Sequence, residues 1–189
     1  MEMIRYKMKN HLLGLALLFT NVVFLSSCAD EQDFDQFDDL SVEPLVASSI
    51  FYFESDEQTI NQAGPGAFYN QNFTFEAFNQ PFVSERVLEG TIVYQVENTT
   101  SKELSISIAF LDANGAVLDV ESFIVPPEPA PLIERQIAYG TAGRSLDILR
   151  NTTDIRVSGE NLGDTTSTSS LNEPKIILRS SAEFRLRLQ

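Results

Sequence analysis

One thiol, Cys28, and one imidazole, His11, stand among 27 carboxylates in a chain of 189 residues. A thiolate is a nucleophile and an imidazole a base or metal ligand, so a single copy of each leaves a narrow repertoire. The residues ahead of the thiol, Leu25-Ser26-Ser27, are branched or small. An extended chain carrying them can enter a peptidase cleft, and the thiolate behind them is open to alkylation. Paired carboxylates, as glycosidases use, are the other available chemistry, but nothing in the spacing marks two acidic residues as a pair. The chain holds no Gly-rich phosphate loop and no dinucleotide fingerprint. With 13 Lys and Arg, a net charge of −14 and a pI of about 4.3, it is a poor ligand for nucleic acid, which needs clustered cations on its phosphates.

The segment that positions the thiol has three parts. Arg5, Lys7 and Lys9 open it, an apolar run follows from Leu12 to Leu25 broken by Gly14, Thr20 and Asn21, and Ser26 and Ser27 close it. A permanent anchor takes roughly 20 apolar residues, so the run fits a signal-peptide core instead. In this order, Leu25-Ser26-Ser27-Cys28 resembles the lipobox of bacterial lipoproteins. The resemblance implies cleavage before Cys28, diacylglycerol in thioether linkage on its sulfur, and acylation of the new amino terminus. Two or three acyl chains anchor durably where one does not.

Loss of residues 1–27 removes three basic and one acidic residue, leaving a net charge of −16. It also removes His11. With Cys28 alkylated, the mature chain has neither imidazole nor thiol, which excludes Ser-His-Asp and Cys-His nucleophiles, histidine metal sites and disulfides. No enzymatic activity, cofactor or metal is expected. Residues 29–39 carry acids without Lys or Arg, predicting an extended tether over 28–41 that reaches about 40 Å. An acidic run directly behind the lipidated cysteine is similar to the export signal of Bacteroidota surface lipoproteins. Asp30, Glu31 and Asp33 fit it, although no Lys or Ser precedes them. That similarity implies the outer leaflet of the outer membrane.

From about residue 42, period-two patterns predict strand after strand. The first is expected over 45–54, followed by a polar loop with Gly64-Pro65-Gly66 and a strand over 72–78. In 83–98, Ile92, Tyr94 and Val96 share one face, and Gly90 marks a bulge or a close backbone approach. In 104–111, Leu104, Ile106, Ile108 and Phe110 share another. Asp112-Ala113-Asn114-Gly115 then closes a hairpin onto 116–125, with turn chemistry accounting for Asp112 and Asn114 without a calcium ion. The proline-rich 126–131 cannot donate to a ladder and should cross between sheets. A strand over 132–139, a short helix within 141–151 capped by Thr141, a short strand over 154–159 and a mobile loop over 161–174 follow. Last comes a strand with Ile176, Leu178, Phe184, Leu186 and Leu188 inward and Lys175, Arg179, Glu183, Arg185 and Arg187 outward. Seven or eight strands without βαβ alternation predict an all-β fold: a two-sheet antiparallel β-sandwich of immunoglobulin-like architecture with one short helix, as a single domain over 42–189.

Binding features are sparse. Phe51, Tyr52, Phe53, Phe68, Tyr69, Phe73, Phe75 and Phe78 are core candidates or the lining of a groove for sugar or peptide. Tyr52 and Tyr69, with their polar tips, are the expected exposed members. Arg179, Arg185, Arg187 and Lys175 form a basic ladder for a partner or, more simply, for cross-strand carboxylates. Asp164-Thr165-Thr166 resembles the short O-glycosylation motif of Bacteroidota, which makes Thr165 the acceptor. The sequence thus predicts a lipid-anchored outer-membrane lipoprotein acting as a binding or structural accessory, with the membrane and an outer-membrane protein as partners. A periplasm-facing assembly factor and a small carbohydrate-acting enzyme are the alternatives.

Overall fold

The computed structural model describes residues 41–75, 80–141 and 143–188. Cys28, Asp30, Glu31, Asp33 and the tether lie outside the described residues, as does Phe78. Eight strands form: β1 (Leu45–Asp56), β2 (Gly66–Thr74), β3 (Val87–Asn98), β4 (Leu104–Leu111), β5 (Val117–Val125), β6 (Ile133–Tyr139), β7 (Asp154–Asn161) and β8 (Lys175–Leu186). They build two antiparallel four-stranded sheets, ordered β1-β8-β3-β6 and β2-β7-β4-β5. The sandwich read from the sequence is therefore the fold.

The likeness to an immunoglobulin domain holds at the level of two packed antiparallel sheets, while the strand order is that of a jelly roll. Its pairings nest. β4 pairs with β5 around the Asp112–Gly115 turn, β3 with β6 outside it, β2 with β7 outside that, and β1 with β8 last. In the turn, Asp112 Oδ1 accepts the amides of Asn114 and Ala116 at 2.8 Å each, and Gly115 takes φ 79°. These amides hold the Asp112 carboxyl below its usual range. Among the described residues no group of His, Cys, Asp or Glu is placed to hold a metal ion.

The alternation in β3, β4 and β8 does what it predicts: Ile92, Tyr94, Val96, Leu104, Ile106, Ile108, Phe110, Ile176 and Leu178 are fully buried between the sheets. Leu188 departs from its row, lying beyond the end of β8 and 42 % exposed. Gly90 shows both expected features. The register shifts between Val87 and Glu89, and a Cβ on Gly90 would stand 2.2 Å from Phe184 Cδ1. Gly90→Ala is expected to cost about 1–3 kcal/mol through overpacking, measurable as a lower urea midpoint at unchanged slope.

Three short helices occur among the described residues where the sequence predicts one. α1 (Glu57–Ala63) lies in the expected polar loop, α2 (Pro81–Ser84) at the head of the expected 83–98 strand, and α3 (Leu146–Asn151) where a helix is predicted. A seven-residue helix such as α1 buries only one apolar residue, Ile60, so it leaves no period to read. Asp56 caps it, its Oδ1 accepting Thr59 N at 2.7 Å. The cap of α3 is Ser145, not Thr141, with Ser145 Oγ accepting Asp147 N at 3.1 Å.

The 126–131 segment does cross from one sheet to the other, joining edge strands β5 and β6. On that side the sandwich is closed by charge. Glu121 of β5, 5 % exposed in its side chain, accepts Arg135 of β6 at 2.8 Å and also Arg144. Arg144 bridges on to Asp119 at 2.6 Å, and the Arg135 guanidinium lies 4.3 Å over the Phe123 ring. Burial works against the Arg144 charge, but the two carboxylates outweigh it and raise its pKa further.

Candidate binding groove

The opposite side, between edge strands β1 and β2, is closed by aromatic rings, with Phe51 stacked on Phe73 at 5.6 Å between centroids. The register of β2 against β7 shifts between Ala67 and Tyr69, and this bulge turns both Phe68 and Tyr69 toward β1. There the Tyr69 ring packs 4.0 Å and the Phe68 ring 6.4 Å from Phe53, centroid to centroid, and Phe68 covers Gly159, whose added Cβ would lie 2.6 Å from its Cζ. The Phe68 and Tyr69 rings floor a groove of about 990 Å³ at the corner where β1 runs into α1. Gln58, Thr59, Asn61 and Gln62 of α1 line it on one side, and Thr168, Ser169, Glu173 and Pro174 on the other. Glu173, directly before a proline, holds φ at 51°, the one non-glycine residue with positive φ among the described residues.

The second wall belongs to the segment expected to be a mobile loop, and the structure corrects that expectation. Lys102, fully buried between β3 and β4, donates its Nζ to Asp164 Oδ1 at 2.7 Å, Ser167 O at 2.7 Å and Ser167 Oγ at 2.6 Å. Glu57, 2 % exposed, accepts Ser101 N at 2.7 Å and Ser101 Oγ at 2.6 Å on one oxygen and Ser169 N at 2.8 Å on the other. Ser and Thr richness therefore reports partners for a buried network here, not freedom of the backbone.

Two carboxyls of this network titrate low. Burial alone would raise Glu57, but the hydrogen bonds from Ser101 and Ser169 outweigh it; Asp164 is held far down by Lys102 and then by Ser167 and Thr166. Unfolded carboxyls titrate near pH 4, so in acid the unfolded chain takes up these protons first. The stability they contribute is present above that range and is lost as pH falls through it toward the depressed folded values. Melting temperature should accordingly drop below about pH 4, and Asp164→Asn should show a shallower drop than the parent in the same titration.

The basic ladder lies on the outer face of the first sheet and is paired throughout. Lys175 meets Glu54 at 3.1 Å, Arg179 meets Glu97 at 3.5 Å, Arg185 meets Glu89 and, at 3.9 Å, Glu43, and Arg187 meets Glu43 at 3.4 Å. Cross-strand pairing is thus its role in the fold, each pair contributing little in water. Tyr52, 53 % exposed, stands opposite Arg179 and donates to Glu54 Oε2 at 2.6 Å. That bond raises the Tyr52 pKa and lowers that of Glu54. The structure separates the two tyrosines: Tyr52 is exposed as expected, while Tyr69 is half-buried in the groove floor. Thr165 is half-buried on the pinned segment, and its neighbour Asp164 is already engaged by Lys102 and by the amides of Thr166 and Ser167.

Sequence reasoning missed Lys102, Glu57 and Asn61. Nothing flags Lys102 or Asn61 in a polar stretch, but Glu57 directly after a capping Asp56 is a helix-start signal that was there to read.

Among the described residues no helix is long and apolar enough to cross a membrane. No family model matches the chain, and no curated protein does. Among solved structures it is similar to the VP2 subviral particle of infectious bursal disease virus at 9% identity, with 77% of this chain and 33% of that one covered and a TM-score of 0.38. The chain thus spans about a third of that protein's length. It is also similar to turnip yellow mosaic virus protein (8% identity, 79% and 82% covered, TM-score 0.36) and to a Bacillus endospore appendage pilus protein (10% identity, 87% and 97% covered, TM-score 0.32).

Proposed function

We propose that this chain is a lipid-anchored lipoprotein of the outer membrane whose sandwich faces the cell exterior and works by binding, as an accessory of an envelope assembly. The observation that carries the reading is the sequence order: basic opening, apolar core, Leu25-Ser26-Ser27-Cys28 and acidic run stand directly ahead of the folded body. The groove between α1 and the 162–174 segment supplies a surface for a ligand. Two of its four carboxylates are unsuited to act as a catalytic acid. Glu54 and Glu57 are displaced downward, whereas a glycosidase's general acid needs a raised pKa.

Mass spectrometry of the protein purified from its own membranes should find a diacylglyceryl thioether and an acylated amine on residue 28. An unmodified sulfur there would end the anchor reading. Protease treatment of intact cells should remove the sandwich; its survival until the outer membrane is opened would instead place it in the periplasm, as an assembly factor.

A further inference from the structure

We propose that the groove between α1 and the 162–174 segment binds a neutral oligosaccharide. This deepens the binding reading above and rests on it. Four carboxylates, Glu54, Asp56, Glu57 and Glu173, border the groove against one cation, Lys175, which is engaged by Glu54. An anionic ligand is repelled there. The lining is rich in acceptors and amides and so suits a ligand rich in hydroxyl donors.

Two features ask for such a ligand. Gln58 and Gln62 are exposed one helical turn apart on the groove side of α1, and neither makes a side-chain hydrogen bond among the described residues. Asn61, between them, donates its Nδ2 to Ser167 O at 3.2 Å, yet its Oδ1 is buried without a partner. A buried acceptor left unpaired is costly, and a ligand that draws the Asn61 amide outward into the groove would satisfy it. Below them the half-buried Phe68 and Tyr69 rings offer apolar faces to the C–H face of a sugar ring. A mixed surface of this size, with aromatic floor and convergent polar groups, matches the general anatomy of small-ligand sites.

The test is calorimetric titration of the full-length lipidated protein, held in a polyoxyethylene detergent that carries no sugar, with neutral α-glucan, β-glucan, xylan and β-mannan oligosaccharides. At least one should bind with a Kd on the order of 100 µM, with affinity unchanged from low to high salt. Gln58→Ala combined with Gln62→Ala should weaken it at least about tenfold while leaving the melting temperature in place, because both side chains are exposed. Three results would overturn the proposal: no heat with any of the four sugars, binding indifferent to the double substitution, or preference for a Lys-rich peptide with salt-sensitive affinity. The mass at Cys28 and the protease result are read separately, so failure of the sugar titration leaves the anchor reading standing and failure of the anchor leaves the titration interpretable.

Discussion

Lys102→Met should destabilise the sandwich by about 3 kcal/mol and release the 162–174 segment. The Lys102 side chain is 0% exposed, and its ammonium has three acceptors within 2.7 Å, two of them on Ser167. Methionine fills the same space without a donor, so the Ser167 carbonyl is left with Asn61 Nδ2 alone and the Ser167 hydroxyl with Asp164 and Ser101. Asp164, 59% exposed in its side chain, can turn to water, which keeps the loss below that of a fully sealed pair. Urea unfolding gives the free energy, and amide exchange of Ser167 and Ser169 reports the release. A cost under about 1 kcal/mol with unchanged exchange would mean that Glu57, Asn61 and Glu128 hold the segment without Lys102.

Glu121→Ala carries the second large effect, about 2 kcal/mol, because the Arg135 and Arg144 side chains, 42% and 36% exposed, keep part of their water when the carboxylate is gone. Its carboxylate joins two guanidiniums across the gap between the sheets. Alanine leaves Arg135 over Phe123 with no carboxylate partner and Arg144 with Asp119 alone. If the loss comes from the stranded cation, Glu121→Leu with Arg135→Leu should cost less than Glu121→Ala by itself, because an apolar pair leaves no charge behind. The double-mutant cycle measures the coupling directly. Additive losses would show that the pair acts independently and that the closure is apolar packing.

The two closures of the sandwich differ in how far the sequence announces them. In β5, Glu121 shares parity with Phe123 and Val125, and in β6 Arg135 shares parity with Ile133, Ile137 and Tyr139. Opposite charges interrupting apolar rows of consecutive strands are a readable sign of a pair between sheet edges, and one that period-two reading passes over when it only counts apolar residues. The nested hairpin is legible for a related reason. Asp112-Ala113-Asn114-Gly115 fixes its tip, and alternation on both sides fixes which faces meet.

The groove was less legible. Its floor depends on the bulge at Phe68, whose glycine, Gly159, sits on the remote partner strand, and its first wall on a helix held by a cap and one buried isoleucine. Its second wall reads as a flexible Ser-Thr loop because the partner that fixes it, Lys102, is remote in sequence. The aromatic residues read as candidates for core or groove, and only the pairing of sheets decides that Phe51 and Phe53 are core while Phe68 and Tyr69 also line the groove. Local chemistry is written in the chain, but proximity between the β1–α1 corner and residues 162–174 arises only when the outermost hairpin closes.

β1 also has a mechanical meaning. It is paired along its length with β8, from Leu45 opposite Arg185 to Asp56 opposite Lys175, and the groove lies at its Asp56 end. A pull through residue 41 against cargo held in the groove would run lengthwise along this strand, sliding it past its neighbour. Such shear loads the rungs of the ladder together, where peeling would break them one at a time. A body gripped at opposite ends of one strand would therefore yield slowly to force, at a rate set by its unfolding barrier and not by its equilibrium stability.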